Sequence, residues 1–199
     1  MWMEAADAAV VAQAVAGDRD AFRALVERHS ASIFRLAFRM TSNEHDAEEV
    51  VQETFLRAYR NLGRFEQRAN FGTWLYRIAI NCAHDLRRSR LRHEENREHP
   101  EHREGEEAES HEVLDSVPAT DPAPDRLVFS SEVKARVSAA MQGLGRLERA
   151  AFVLRHFEGY SIEEIGRVLG LKESATKNSI FRAVQKLRRE LQPMVSTTR

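Results

Sequence analysis

Residues Phe71 to Arg92 read F-G-T-W-L-Y-R-I-A-I-N-C-A-H-D-L-R-R-S-R-L-R, and the recurrence of their apolar positions at three and four decides the fold class. On a helical wheel Phe71, Leu75, Ile78, Cys82 and Leu86 share one face, whereas Trp74, Arg77, Asn81, His84 and Arg88 share another with Asp85 beside them. The first stripe is what a helix buries. The second gathers an indole, an amide, an imidazole and guanidiniums, a set that supplies stacking, Watson–Crick-edge hydrogen bonds and phosphate contacts, as an unpaired base requires. Spacing alone equally allows Trp74 and Tyr76 to be ordinary core or boundary residues.

The same periodicity runs in both directions from this stretch and no segment sustains alternation, so the spacing predicts an all-α chain. Upstream it predicts a short helix over Asp7 to Ala16 ending at Gly17. A second helix, capped by Asp18 or Asp20 and running to about Met40, turns Phe22, Leu25, Val26, Ile33, Leu36 and Ala37 inward. A third begins near Asn43 and buries Ala47, Val51, Phe55, Ala58 and Leu62. This third helix carries Asp46, Glu48, Glu49, Gln52 and Glu53 at its start and Arg57 and Arg60 at its end. The macrodipole explains that order, and an acidic face for a basic partner fits it too.

Downstream, helices are expected at about Arg126 to Met141, Gly145 to Glu158, Ser161 to Leu169 and Ser174 to Leu191. Ser161-Ile162-Glu163-Glu164 fits the capping box, in which serine and glutamate answer each other's orphan backbone donors. Gly170 then breaks the pattern before a longer basic helix, which makes a helix-turn-helix. Ile180, Val184, Leu187 and Leu191 form the expected packed stripe of that helix. Lys177, Asn178, Phe181, Arg182, Gln185, Lys186, Arg188 and Arg189 spread around the rest, where its first turns would enter a major groove. An ordinary helical hairpin with a solvated basic face is the plainer alternative. Gly166, costing about 1 kcal/mol against alanine inside a helix, is read as permitting a close crossing.

Composition narrows the classes further. The chain has 199 residues, 42% of them hydrophobic, enough for one medium core or two small ones, and a mean hydropathy of −0.52. No apolar run is long enough for a membrane span, the acidic N-terminus does not suit a secretory signal, and the single Cys82 excludes an internal disulfide framework. A cytoplasmic protein with no membrane contact is the expectation. The net charge of −1 conceals a division: His93 to Asp125 holds 12 acidic and 2 basic residues, Met1 to Arg92 holds 14 basic and 12 acidic, and Arg126 to Arg199 holds 14 basic and 7 acidic. Two neutral-to-basic blocks are thus joined by an acidic, proline-bearing strap that reads as a flexible linker, and such segregation points to a polyanion partner. Fully extended, its 33 residues reach about 110 Å at ~3.3 Å each.

No nucleotide-binding fingerprint is present. His93-Glu94 and His111-Glu112 fail the H-E-x-x-H pattern because Arg97 and Asp115 stand at the fifth positions. His99 and His102 are read as solvated, Cys82 as a small core residue, and neither a metal nor a cofactor is expected. A helix-turn-helix repressor that only binds duplex DNA would leave the Trp74 to Arg88 stripe idle, and a protein-only adaptor is a second rival.

Three strings carry a resemblance: Asp46-Ala-Glu-Glu-Val-Val-Gln-Glu-Thr-Phe-Leu-Arg-Ala-Tyr-Arg-Asn-Leu-Gly-Arg-Phe65, Phe71-Gly-Thr-Trp-Leu-Tyr-Arg-Ile-Ala-Ile-Asn81, and Leu147-Glu-Arg-Ala-Ala-Phe-Val-Leu-Arg-His-Phe-Glu-Gly-Tyr-Ser-Ile-Glu-Glu-Ile-Gly166. In this order, and across both blocks, the chain resembles bacterial sigma factors of the extracytoplasmic-function group. The resemblance implies a non-catalytic specificity subunit with a helical domain over 1–92, a linker over 93–125 and a helix-turn-helix domain over 126–199. It implies as partners core RNA polymerase, through its beta-prime clamp helices and beta flap, promoter DNA, and an anti-sigma protein. By position it assigns Asp46, Glu49, Gln52, Glu53 and Arg57 to the clamp. To the unpaired −10 strand it assigns Arg64, Phe71, Trp74, Arg77, Asn81, His84, Asp85 and Arg88, with Asn81 where a flipped base is received. To the −35 duplex it assigns Ser174, Thr176, Lys177, Asn178, Ser179, Phe181, Arg182 and Lys186. The recognition helix opens Ser174-Ala175-Thr176-Lys177-Asn178-Ser179 where many relatives have Gly-Thr-Val-Lys/Arg-Ser-Arg, so their −35 preference does not transfer, and Gly166 replaces a common alanine. The acidic strap, by the same resemblance, would lie toward the RNA path of polymerase as a polyanion mimic, or serve only as a spacer.

Overall fold

Helix α1, Trp2–Val15, opens the fold, followed by α2 at Arg19–Thr41, α3 at Glu44–Asn61, a 3-10 turn at Leu62–Arg64 and α4 at Phe71–Arg97. After these come α5, residues 135–142, then α6 at Arg146–His156, α7 at Ile162–Leu169 and α8 at Glu173–Ser196. The structure, a computed structural model, describes residues 2–65, 70–97, 133 and 135–196, and these contain no strand. The acidic strap beyond Arg97, the expected helix start at Arg126, and His99 and His102 lie outside the described residues.

Local chemistry sets the helix ends. Asp18 caps α2 by accepting from the Asp20 and Ala21 amides at 2.9 and 3.1 Å, and Asn43 caps α3 through the Asp46 amide at 2.9 Å. The capping box at Ser161 and Glu164 is formed, and α7 stops at Gly170, whose φ of 67° suits a residue without Cβ. In α2 Leu25, Ile33, Leu36 and Ala37 are buried, as expected, while Phe22 and Val26 lie at the core's edge. In α3 Val50, not Val51, takes the inner position, because the turn from Ala47 to Thr54 faces α4 through 47, 50 and 54. In α8 the buried positions are Thr176, Ala183 and Leu187. Ile180 and Leu191 are only partly covered, since α8 presents a narrow, small-residue seam to α6 and α7. Gly166 sits where a Cβ would stand 2.9 Å from the Leu171 carbonyl and 3.5 Å from Thr176 Oγ1, so the close approach is to the helix-turn-helix turn itself.

The two helical groups pack against each other, α6 on α2 and α7 on α4. Glu158, in the turn after α6, accepts from Arg39 Nη1 at 2.5 Å and from the Tyr76 hydroxyl at 2.9 Å. Gly159, with φ of 72°, lets that turn fold back so that Tyr160 stacks on Tyr76 at 5.4 Å, while Arg39 also lies over the Phe157 ring. Burial, then the Glu158 carboxylate, pushes the Tyr76 phenol well above its usual range, so it stays a donor. Arg149 reaches from α6 to the Met40 carbonyl at 2.5 Å, placing a cation at the negative end of the α2 dipole, and Arg87 reaches the Gln142 carbonyl at 2.9 Å. His84 faces this boundary. Burial, then Arg146, Arg149 and Arg87, push its imidazole down to about 4 against a weaker opposing pull from Asp85.

Two outcomes follow from this boundary. Glu158→Ala strands the Tyr76 hydroxyl and the Arg39 guanidinium, weakening closure by about 2–3 kcal/mol, so small-angle scattering should show an expanded chain with unchanged helix content. The packed form holds His84 neutral while the separated or unfolded form binds a proton below pH 6.5, so His84 contributes stability above that value that is lost as pH falls toward 4. The loss is up to about 3 kcal/mol, and comparing unfolding of the native chain with that of His84→Asn at pH 7 and pH 5 isolates it.

Candidate nucleic-acid interface

The start of α4 is held by Asn70, whose Oδ1 accepts from the Thr73 amide at 3.2 Å, and by an aromatic cluster. Phe65 meets Phe71 edge-on at 5.8 Å and Trp74 at 5.0 Å, Phe71 lies 5.7 Å from Trp74, and the buried His29 ring backs Phe71 at 5.4 Å. His29 is fixed in turn by Asp7 of α1, Nε2 to Oδ2 at 2.8 Å. The cluster sets the angle of Trp74, whose outer face lines a cleft of about 280 Å³ together with Arg57, Asn61, Arg64, Ile78 and Asn81. Asn61 donates Nδ2 to the Arg57 carbonyl at 2.8 Å, which leaves its Oδ1 as a fixed acceptor at the cleft. Asn81 and Arg64 are open to solvent at the rim, so an amide and a guanidinium flank an indole across a space of nucleobase size.

The cleft brings together Arg64, Trp74 and Asn81 from the predicted set. Arg77 is exposed on the same side of α4. The other members go elsewhere. Phe71 is 4% exposed and supports Trp74 from beneath instead of offering a contact. His84 turns into the boundary between the helical groups. Asp85 is engaged by Arg57 at 2.8 Å, and Arg88 lines a separate groove. Asn61 is a cleft residue that the sequence reading did not single out, and Ile78, expected on the packed stripe, is only half-buried and lines the cleft. Asn61 closes α3 just before Leu62-Gly63, and an amide preceding a glycine-bearing turn is the signal it carried.

That separate groove, of about 510 Å³, runs between α3 and α4 and is lined by Glu49, Gln52, Glu53 and Leu56 on one side and Asp85, Arg88, Ser89 and Arg92 on the other. Leu56 stays 45% exposed amid these charges, as an apolar anchor point on an acidic helix would. Arg57 joins the walls, with Nε to Glu53 at 2.6 Å and Nη1 to Asp85, and those two carboxylates raise its already high pKa. Asp46 does not reach this surface. It is buried at the start of α3 and paired with Arg90, because the cap at Asn43 turns it toward α4.

On α8 Ser174, Lys177, Asn178, Phe181, Arg182 and Gln185 form an exposed face, with Phe181 62% exposed. Lys177 pairs with Glu173 at 2.5 Å one turn back, leaving it on the outer face. Thr176 is fully buried and bonds the Lys172 carbonyl at 3.1 Å, so it builds the turn and cannot meet DNA. Ser179 is half-buried with its hydroxyl on the Ala175 carbonyl, and Lys186 is tied back to Glu148 of α6 at 2.7 Å.

Two family models match the chain, one in each helical group. The Sigma-70 region 2 model matches residues 25–93 and the Sigma-70 region 4 model residues 134–187. The RNA polymerase sigma-H factor of Pseudomonas aeruginosa is 34% identical over 95% of both chains, and the ECF RNA polymerase sigma factor SigW of Bacillus subtilis is 32% identical over 92% of this chain and 96% of its own. SigE of Mycolicibacterium smegmatis is 39% identical over 82% of this chain, which spans only 59% of that longer relative. Among solved structures, CnrH in complex with the cytosolic domain of CnrY superposes with a TM-score of 0.66 at 29% identity, over 94% of this chain and 98% of that one. The Bartonella quintana sigma factor RpoE, in complex with the anti-sigma factor NepR, shares the fold at a TM-score of 0.62 and 22% identity, over 86% and 96% of the two chains. With two regions matched in order and relatives aligned nearly end to end, the chain belongs to the sigma-70 family, as a sigma factor of the extracytoplasmic-function group that directs promoter-specific transcription initiation.

Proposed function

We propose that the cleft of Asn61, Arg64, Trp74, Ile78 and Asn81 receives one unpaired base of the −10 non-template strand, while the open face of α8 reads the −35 element as duplex. The carrying observation is the cleft itself, an indole and two amides beside a cation, supported from behind by buried aromatics. Binding a base there stabilises the melted strand and not the duplex, which is how a protein without catalytic groups can drive opening. The groove between α3 and α4, with Glu49, Gln52, Glu53 and the exposed Leu56, is the surface for the clamp helices of core polymerase. Residues 1–92 and 126–199 act as the two reading units, with 93–125 between them. The complexes formed by structurally similar sigma factors make an anti-sigma protein the expected restraint on this one as well.

The −10 and −35 elements are separated by roughly 85 Å of duplex at about 3.4 Å per base pair. Parting of the two groups would let both elements be read at once, and the strap, about 110 Å when fully extended at ~3.3 Å per residue, is long enough to allow it.

Asn81→Ala is expected to leave affinity for core polymerase within about twofold and to slow strand opening tenfold or more, the loss of one base contact worth about 1–3 kcal/mol. Permanganate reactivity of thymines near the start site measures it, and unchanged opening would refute the assignment. Lys177→Ala should weaken promoter binding about evenly across −35 sequences and flatten its salt dependence, whereas Arg182→Ala should weaken it selectively if that guanidinium reads a base edge. Titration of holoenzyme on a panel of −35 variants at two salt concentrations separates the two.

A further inference from the structure

Arg149 is 2% exposed, and among its donors only Nη1 finds an acceptor, the Met40 carbonyl; Nε and Nη2 are buried without a partner. His84 Nε2, across the boundary on α4, is buried and unpartnered as well. Around them stand Arg87 on α4 and Arg146 at the start of α6, both near enough to oppose a charge on His84, and Arg87 also opposes the charge of Arg149. No carboxylate among the described residues answers this group. Asp85 is held by Arg57, and Glu158 is already shared by Arg39 and Tyr76. Buried guanidinium hydrogens are nearly always satisfied, and a buried cation is normally paired. A water molecule would answer an N–H but not the charge.

We propose that the boundary between the two helical groups is a binding site for one oxyanion, a carboxylate or phosphate group, held by Arg149 with Arg87 and Arg146. The guanidinium fork of Arg149 offers Nε and Nη2 side by side, the pair that grips two oxygens of one anion. Arg87 and Arg146 approach from separate helices, so the site is complete only when the groups are packed. An anion bound there stabilises the packed form by mass action and withdraws from it when the groups part. This inference is independent of how the promoter is read.

The oxyanion has two sources: a free anion, or one of the twelve acidic side chains of residues 93–125. Inorganic phosphate titrated into the isotopically labelled full chain, at ionic strength held constant with chloride, distinguishes them when the arginine Nε–H and His84 ring signals are followed. The same titration is run on a chain whose acids over 93–125 are changed to their amides. A saturable shift of the Arg149 Nε–H signal in the native chain identifies a free-anion site. A shift only in the neutralised chain identifies a site already filled by the chain's own carboxylate. In the responding chain, Arg149→Met and Arg87→Gln should each weaken phosphate about tenfold or more, as expected for loss of a charge-assisted pair. Should Arg149→Met fail to fold, Arg87→Gln decides. No saturable shift in either chain, or equal half-saturation in Arg87→Gln, overturns the proposal.

Discussion

One carboxylate, that of Glu158, holds the two halves of this molecule in register. It is contributed by the five-residue connection between α6 and α7, yet it receives a guanidinium from α2 and a phenol from α4, so a single group ties that connection to two helices of the front half. The turn takes its shape from Gly159 in a left-handed conformation and from the Tyr160 amide returning to the Leu154 carbonyl. Neither partner would be well placed without the other. The Tyr76 ring is clamped by Tyr160, which aims its hydroxyl, and Arg39 is spread over Phe157, which orients its fork.

The consequence for α4 is a division of labour among three faces. Leu75, Ala79 and Cys82 turn into the front core; Tyr76, Ile80, Ala83 and Arg87 turn toward the back group; Trp74, Ile78 and Asn81 remain toward solvent and the cleft. A helix with two buried faces loses the clean amphipathic stripe from which inner and outer positions are usually read. Burial on both sides of Asn81 also stiffens the backbone that presents it, as the proposed base-receiving role requires.

That geometry explains what was legible in the sequence. Helices, caps and the capping box were readable because each is set within a few residues: Asp18, Asn43 and Ser161 all cap as their positions implied. Trp74 and Asn81 were marked out by both wheel and resemblance and Arg64 by the resemblance alone, and the three line one cleft. The second buried face of α4 was not, since nothing local says that Tyr76 and His84 meet residues some seventy positions away. His84, a polar residue on the outward stripe, thus faces another helix in the packed arrangement. Thr176 failed for a related reason. Its hydroxyl satisfies the Lys172 carbonyl within its own helix, so a polar side chain at the head of a recognition helix became part of the packing behind it.

The packed arrangement covers neither the cleft nor the outer face of α8. The cleft beside Trp74 and the face of α8 bearing Lys177, Phe181 and Arg182 both stay open while Glu158 holds the halves together. Separating the halves along this boundary breaks the polar contacts of Glu158 and Arg149 and the Tyr76–Tyr160 stack, and it uncovers the apolar side chains packed there, Ile80 and Ala83 of α4 among them. A partner that binds the front half through α3 and the back half at a distant point can supply the energy for this from its own interface. A partner that bridges the two halves adds to the restraint instead. The same boundary thus responds in opposite directions to a spreading partner and a clasping one, because each binds one of its two arrangements preferentially.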